Sequence, residues 1–263
     1  MKPFVKRSLL NPVILGAVLI GLGYGKDPQP TQLAKPATLE YEQYDANNIH
    51  NWFDNAGRWV SSVPTGDAGL EWPGESDLTA VFASGLWIVG KVDGEIRSTA
   101  AEFSSEWLPG PLPYNTLTQT PLALGPQNPG DQIYYIRKGD GANPNTENFN
   151  REYRDWPASQ GAPAHDGEYY SDSNQNGSRD PGESFEDFNR NDSYDGPDGM
   201  LVTGEDPPLF IGEVMAWYVM NDFDSDGHTN LWRTVPLGVE AQVLIYSRSD
   251  DPIYDNVQFR QVT

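Results

Sequence analysis

The sequence predicts a mainly β protein, an antiparallel β-sandwich interrupted by an acidic, loop-rich insert. Three observations carry that reading. Gly 26, Pro 22 and 12% aromatic residues suit short strands joined by turns better than helices. Short apolar runs with strand-forming residues stand on both sides of the middle of the chain, bounded by turn signals. Between them, residues 139–208 are rich in Gly, Asn, Asp and Pro and poor in aliphatics, too polar to offset the entropy of ordering them by burial alone.

Taken in order, residues 1–25 read as a secretory signal. Lys2, Lys6 and Arg7 supply a positive start, Val13 to Leu22 is an apolar run too short for a comfortable span, and Gly23 and Gly25 are small residues after it. Residues 26–46 are polar and proline-containing and read as a linker. Residues 47–138 form the first part of the β domain. Leu78 to Phe82 and Gly85 to Val92 are strand candidates, and Asp93-Gly94 is the strongest two-residue hairpin signal, with Glu95 to Phe103 as the return strand. Ile133 to Arg137 is another strand, whereas Trp107 to Pro113 holds too many prolines for a regular element. Residues 209–263 complete the domain. Glu213 to Met220 has too few polar residues for a one-sided strand and is expected at the centre of a sheet. Val239 to Ser247 alternates as a half-buried strand, and Asn256 to Val262 is a third.

The insert carries the one chemical motif. Asp172, Asn174, Asn176, Ser178, Asp180 and Glu183 fall on positions 1, 3, 5, 7, 9 and 12 of a loop with Gly177 at position 6. That is the calcium loop of the EF-hand. Calcium takes about six to eight oxygens, and a loop offering one from every second residue can wrap around it, with a carboxylate closing the ring. Asp187, Asn189, Asn191, Ser193, Asp195 and Asp198 repeat the register, with Asp192 in the glycine position and Asp198 in place of the closing Glu. A third oxygen-rich loop, Asp222, Asp224 and Asp226 with Gly227 and Asn230, has Arg233 where the closing carboxylate belongs, and reads as readily as a surface turn. Pro181 and the lack of flanking amphipathic helices separate these loops from helix-loop-helix EF-hands. They resemble the helix-poor calcium loops of dockerin- and thrombospondin-type repeats.

The stretches NNIHNWFDNAGRW, GLEWPGESDLTAVFASGLWIVGKVDGEIRSTAAEFSSEW, GEVMAWYVMNDFDSDGHTN and PLGVEAQVLIYSRSDDPIYDNVQFRQVT extend over most of residues 47–263. They resemble the N-terminal region of large secreted proteins of Bacteroidota and related bacteria that carry a C-terminal sorting domain for type IX secretion. The resemblance implies a secreted, β-rich protein, with further β-sandwich sequence and the sorting domain beyond Thr263.

Composition excludes several classes. A net charge of −21 repels nucleic acid and anionic membranes and attracts divalent cations. With Cys 0, no disulfide, thiolate site or lipoprotein anchor is available, and bound metal is the staple left to an exported chain. His50, His165 and His228 match no zinc spacing, and no nucleophile elbow or phosphate loop occurs, so no enzyme is expected. Trp52, Trp59, Trp72, Trp87, Trp107, Trp156, Trp217 and Trp232 could include a sugar-stacking platform, although Trp87 and Trp217 sit in strand patterns and are expected in the core. The expectation is a secreted, calcium-binding β-sandwich module with structural or adhesive work at the bacterial cell surface or in the extracellular matrix. Its partners are calcium ions and either extracellular polysaccharide or other copies of the chain, with no nucleic acid and no membrane after signal cleavage. The alternatives are a carbohydrate-binding accessory module of a secreted hydrolase and a subunit of an extracellular filament.

Overall fold

The computed structural model describes residues 39–101, 106–112, 114–115, 120–121, 132–139, 152–229, 232–248 and 252–263. The signal-like residues 1–25, the first part of the linker, residues 140–151 of the insert and Asn230 lie outside them. The described chain is mainly β, and its sheets are antiparallel.

A four-stranded sheet runs β1 (Tyr41–Tyr44), β2 (His50–Asp54), β3 (Leu70–Glu71) and β4 (Thr79–Val81) in chain order. β1 falls in the stretch read as linker. Its last residue, Tyr44, is fully buried and its hydroxyl donates to the Val214 carbonyl at 3.0 Å, which is why a tyrosine in a polar stretch becomes sheet. β5 (Trp87–Val92) and β6 (Glu95–Ala100) form the expected hairpin, with Val92 opposite Glu95. Asp93 and Gly94 between them have φ 51° and 89°, the two left-handed residues of the turn whose twist matches the strands. β7 (Leu108–Pro109) is a short edge segment, and β8 (Tyr114–Asn115) pairs with β9 (Thr120–Pro121).

The larger sheet orders β10 (Tyr134–Arg137), β11 (Val214–Asn221), β12 (Glu240–Ser247) and β13 (Gln258–Val262), with β7 also paired to β11. Every residue of β11 is buried. The strand's period of two divides them between two cores. Val214, Ala216, Tyr218 and Met220 pack with Ala241, Val243 and Ile245 against Tyr44 and Phe53 of the smaller sheet and Trp107. Met215, Trp217 and Val219 face the other way, with Tyr134, Ile136 and Leu244, onto Tyr153, Trp156, Ala162 and Phe188 of the acidic insert. Leu244, on the polar side of the predicted alternation of β12, is buried for this reason. The insert therefore contributes its own apolar anchors, Trp156 at 0% exposure among them. Each such large side chain withdrawn from water contributes about 1.5–3 kcal/mol. Trp217 lies in the core as expected; Trp87 does not, being 50% exposed and packed edge-on to Trp232 at 5.7 Å.

Candidate metal centre

The first two oxygen-rich loops fold alike, bond for bond. In the first, the Asn176 N–H donates to Asp172 Oδ1 (3.1 Å) and Asn174 Oδ1 (3.0 Å), and the Gly177 N–H donates to Asp172 Oδ2 (2.7 Å). The Ser178 N–H donates to Asn176 Oδ1 at 2.8 Å. In the second, the Asn191 N–H donates to Asp187 Oδ1 (3.0 Å) and Asn189 Oδ1 (3.1 Å), the Asp192 N–H to Asp187 Oδ2 (3.0 Å), and the Ser193 N–H to Asn191 Oδ1 (2.7 Å). The backbone matches as well. Gln175 and Gly177 have φ 58° and 79°; Arg190 and Asp192 both have φ 60°. Asp192 thus takes the bend that Gly177 takes without strain, and Asp is among the few side chains that visit this region with local hydrogen bonding.

On the far side of each loop the amides converge on one carboxylate oxygen. Asn174 Nδ2 (2.6 Å) and Asn176 Nδ2 (2.8 Å) donate to Asp180 Oδ2, and Asn189 Nδ2 (2.6 Å) and Asn191 Nδ2 (2.9 Å) donate to Asp195 Oδ2.

The closing carboxylate is where sequence and structure part. Glu183 closes the first loop by accepting from the Ser173 N–H at Oε1 (2.7 Å) and the Asp180 N–H at Oε2 (2.9 Å). The same two places in the second loop are held by Glu168. It accepts from the Phe188 N–H at Oε1 (2.6 Å) and the Asp195 N–H at Oε2 (3.1 Å). Asp198, expected in that role, belongs to the next turn. Its N–H donates to Asp166 Oδ1 at 3.0 Å, and its own Oδ1 accepts from the Met200 N–H at 2.8 Å. Glu168 precedes its loop in the chain, so a motif that reads only forward from Asp187 does not reach it. The Glu168 N–H also donates to the Asp195 carbonyl at 2.8 Å, which seats the segment before the first loop against the second.

Aromatic residues bind the loops to each other and to the sheet. Tyr170 and Phe185 form a β-bridge at the stem of the first loop, and both meet Tyr194 of the second edge-on at 5.7 Å. The Arg179 guanidinium lies over Phe185 (4.6 Å) and Tyr194 (4.9 Å) and donates to the Glu183 carbonyl at 2.9 Å. Phe188, one residue into the second loop, is buried in the core beneath the larger sheet. The Tyr153 hydroxyl donates to Glu186 Oε1 at 2.8 Å. Burial, then the charge of Glu186, raises the Tyr169 pKa above 10.0, as an anionic surrounding should.

The third loop does not gather its three carboxylates. Asp222 is fully buried. Its Oδ1 accepts from the N–H groups of Gly238 and Val239 (both 2.8 Å) and its Oδ2 from the N–H of Leu237 (2.6 Å). It is a clasp between the ends of β11 and β12, with its carbonyl 3.1 Å from His228 Nε2. Asp224 Oδ1 accepts from the Asp226 N–H at 3.0 Å, an ordinary turn contact. The carboxylates of Asp222 and Asp224, expected as ligands together with Asp226, serve in this structure as a strand clasp and a turn contact.

Among the described residues, no three His, Cys, Asp or Glu side chains are grouped as a metal cage. The oxygen chemistry of the first two loops is mixed: carboxylate, carboxamide and backbone carbonyl. That mixture fits a hard cation. Each ligand-type oxygen tied to one or two N–H groups still has lone-pair capacity, since a carboxylate offers about four acceptor sites. Compared with protein-family profiles, curated proteins and solved structures, the chain matches none.

Proposed function

We propose that this chain is a secreted, calcium-ordered β-sandwich module with a structural or adhesive role outside the bacterial cell. The single observation that carries the reading is the duplicated hydrogen-bond frame of the two loops, down to a carboxylate closing each. One loop of that geometry is a turn; two with the same register, and a replacement closing residue recruited from elsewhere, point to a shared ligand requirement. Asp172, Asn174, Asn176, Asp180 and Glu183, with the Ser178 carbonyl, would hold one ion. Asp187, Asn189, Asn191, Asp195 and Glu168, with the Ser193 carbonyl, would hold the other. Calcium would supply the positive charge that these clustered carboxylates otherwise lack. The chain's own residues do the rest: Phe188, Trp156 and Tyr153 carry the effect of loop ordering to the sheet. The packing of Tyr44 and Phe53 onto β11 supports two sheets stacked face to face. Export suits the chemistry, because extracellular calcium fills sites with dissociation constants of about 10⁻⁴ to 10⁻³ M.

Thermal unfolding of the purified chain in calcium and in chelator tests this. Binding to the folded state at a hundredfold excess over Kd adds about 2.7 kcal/mol per site, so the midpoint rises by several degrees in calcium. Superimposable curves would remove calcium from the account.

A further inference from the structure

We propose that the solvent face of the four-stranded sheet binds a neutral polysaccharide, in a groove centred on Trp52. This site lies on the far side of the smaller sheet from the insert and does not depend on the calcium reading.

Register builds the groove. Tyr44, Asn51 and Phe53 turn inward and are buried, so their neighbours Gln43, His50 and Trp52 turn outward. Gln43 stands directly opposite Trp52. His50 stands opposite Glu71, and Glu71 opposite Thr79, so three strands contribute one transverse row. These side chains and Asp77 line a depression of about 180 Å³. The strand neighbour that meets Trp52 is Gly69, whose carbonyl accepts from the Trp52 N–H at 2.9 Å; having no side chain, it leaves the indole uncovered on that side. Tyr41 flanks the indole at 5.9 Å, tilted by 57°.

The walls are fixed in advance. Glu71 Oε1 accepts from the Asp77 N–H at 2.6 Å, which holds the wall between β3 and β4. Gly74 lies so close to the His50 ring that an added Cβ would sit 2.7 Å from its Nε2, which pins the imidazole. Preorganised groups lose less entropy when a ligand arrives.

The chemistry of the lining selects the ligand. A sugar ring has an apolar C–H face and a rim of hydroxyls. The groove offers one aromatic platform and, around it, an amide, an imidazole, a hydroxyl and two carboxylates, which both donate to and accept from hydroxyls. Glu71, Asp77 and the net charge of −21 repel uronates and sulfated glycans, which leaves neutral chains. The depression is open and has room for one ring, as suits the passing of a long polymer.

Native affinity electrophoresis of the full chain decides this. Gels would contain dextran, a mixed-linkage β-glucan, xylan, galactomannan or, as the anionic control, polygalacturonate. Retardation is expected in at least one neutral gel and not in polygalacturonate, equally with calcium or chelator. Trp52→Ala should weaken binding about tenfold or more, and Gln43→Ala should weaken it with the fold intact by circular dichroism. Trp232→Ala, at the exposed pair of Trp87 and Trp232, should leave it unchanged. Migration unaltered by every neutral polymer overturns the proposal. So does retardation that survives Trp52→Ala in a folded variant, or retardation by polygalacturonate alone.

Discussion

Glu168 is fully buried, accepts two backbone N–H bonds and lies outside the motif that its geometry completes. A buried carboxylate needs charge or hydrogen-bond compensation, and two amides alone are a thin supply. A cation in the second loop would complete it. Glu168→Gln is therefore expected to weaken calcium binding at the second loop by about tenfold or more, since it removes a charged ligand. Asp198→Asn should leave both sites unaltered. Isothermal titration of the two variants separates them, and the reverse ranking would restore Asp198 to the site. Asp222 makes the opposite point at the same scale. Its spacing to Asp224 and Asp226 looks like a ligand run, and in the fold its carboxylate joins the amides of residues 237–239 into a clasp between two strands. Spacing in a sequence states which oxygens alternate. It does not state which way they face.

At the scale of elements, the strands with strong local signals were legible. Asp93-Gly94 fixes a hairpin because both residues must take positive φ, and β11 reads as central because its apolar residues fill both faces of the strand. β1 to β3 were not legible. Tyr41–Tyr44 and Leu70–Glu71 are short and hold few aliphatic residues, and they are strands only through pairing with β2, a tertiary cause with no local trace. The insert was read as too polar to order without metal, yet Trp156, Tyr153 and Phe188 dock it on the larger sheet. The anchors are few and far apart in the chain, so an average over residues 139–208 hides them. Trp156→Ala should cost about 3–5 kcal/mol in urea unfolding and speed proteolytic cleavage within residues 152–208. A loss below about 1 kcal/mol would show that the insert is not held through that residue.

For the whole molecule, one buried cluster joins residues of the four-stranded and five-stranded sheets, and a second joins the five-stranded sheet to the insert. Tyr44 and Tyr218 are fully buried and Tyr135 is half-buried, and together they are expected to limit stability in alkali. Burial, outweighing the other influences, raises Tyr44, Tyr135 and Tyr218 above the ordinary 10.0. The unfolded chain releases those protons near pH 10 while the folded chain keeps them, so their stabilisation is intact below pH 10 and is lost as pH climbs. Arg260 acts in the opposite sense, since burial lowers it from 12.5 to about 10 and the folded state loses its proton first. With three groups against one, stability is expected to fall as pH climbs above 10, read from urea midpoints at successive pH values. A flat profile would mean that these hydroxyls are open to solvent.

Calcium binding to the intact chain is counted most directly by equilibrium dialysis at millimolar calcium, with Glu183→Ala and Glu168→Ala beside the unaltered protein. Two ions per chain, and one in each variant, is the predicted result. No bound calcium in the unaltered protein, or a count of two that neither variant lowers, would contradict it.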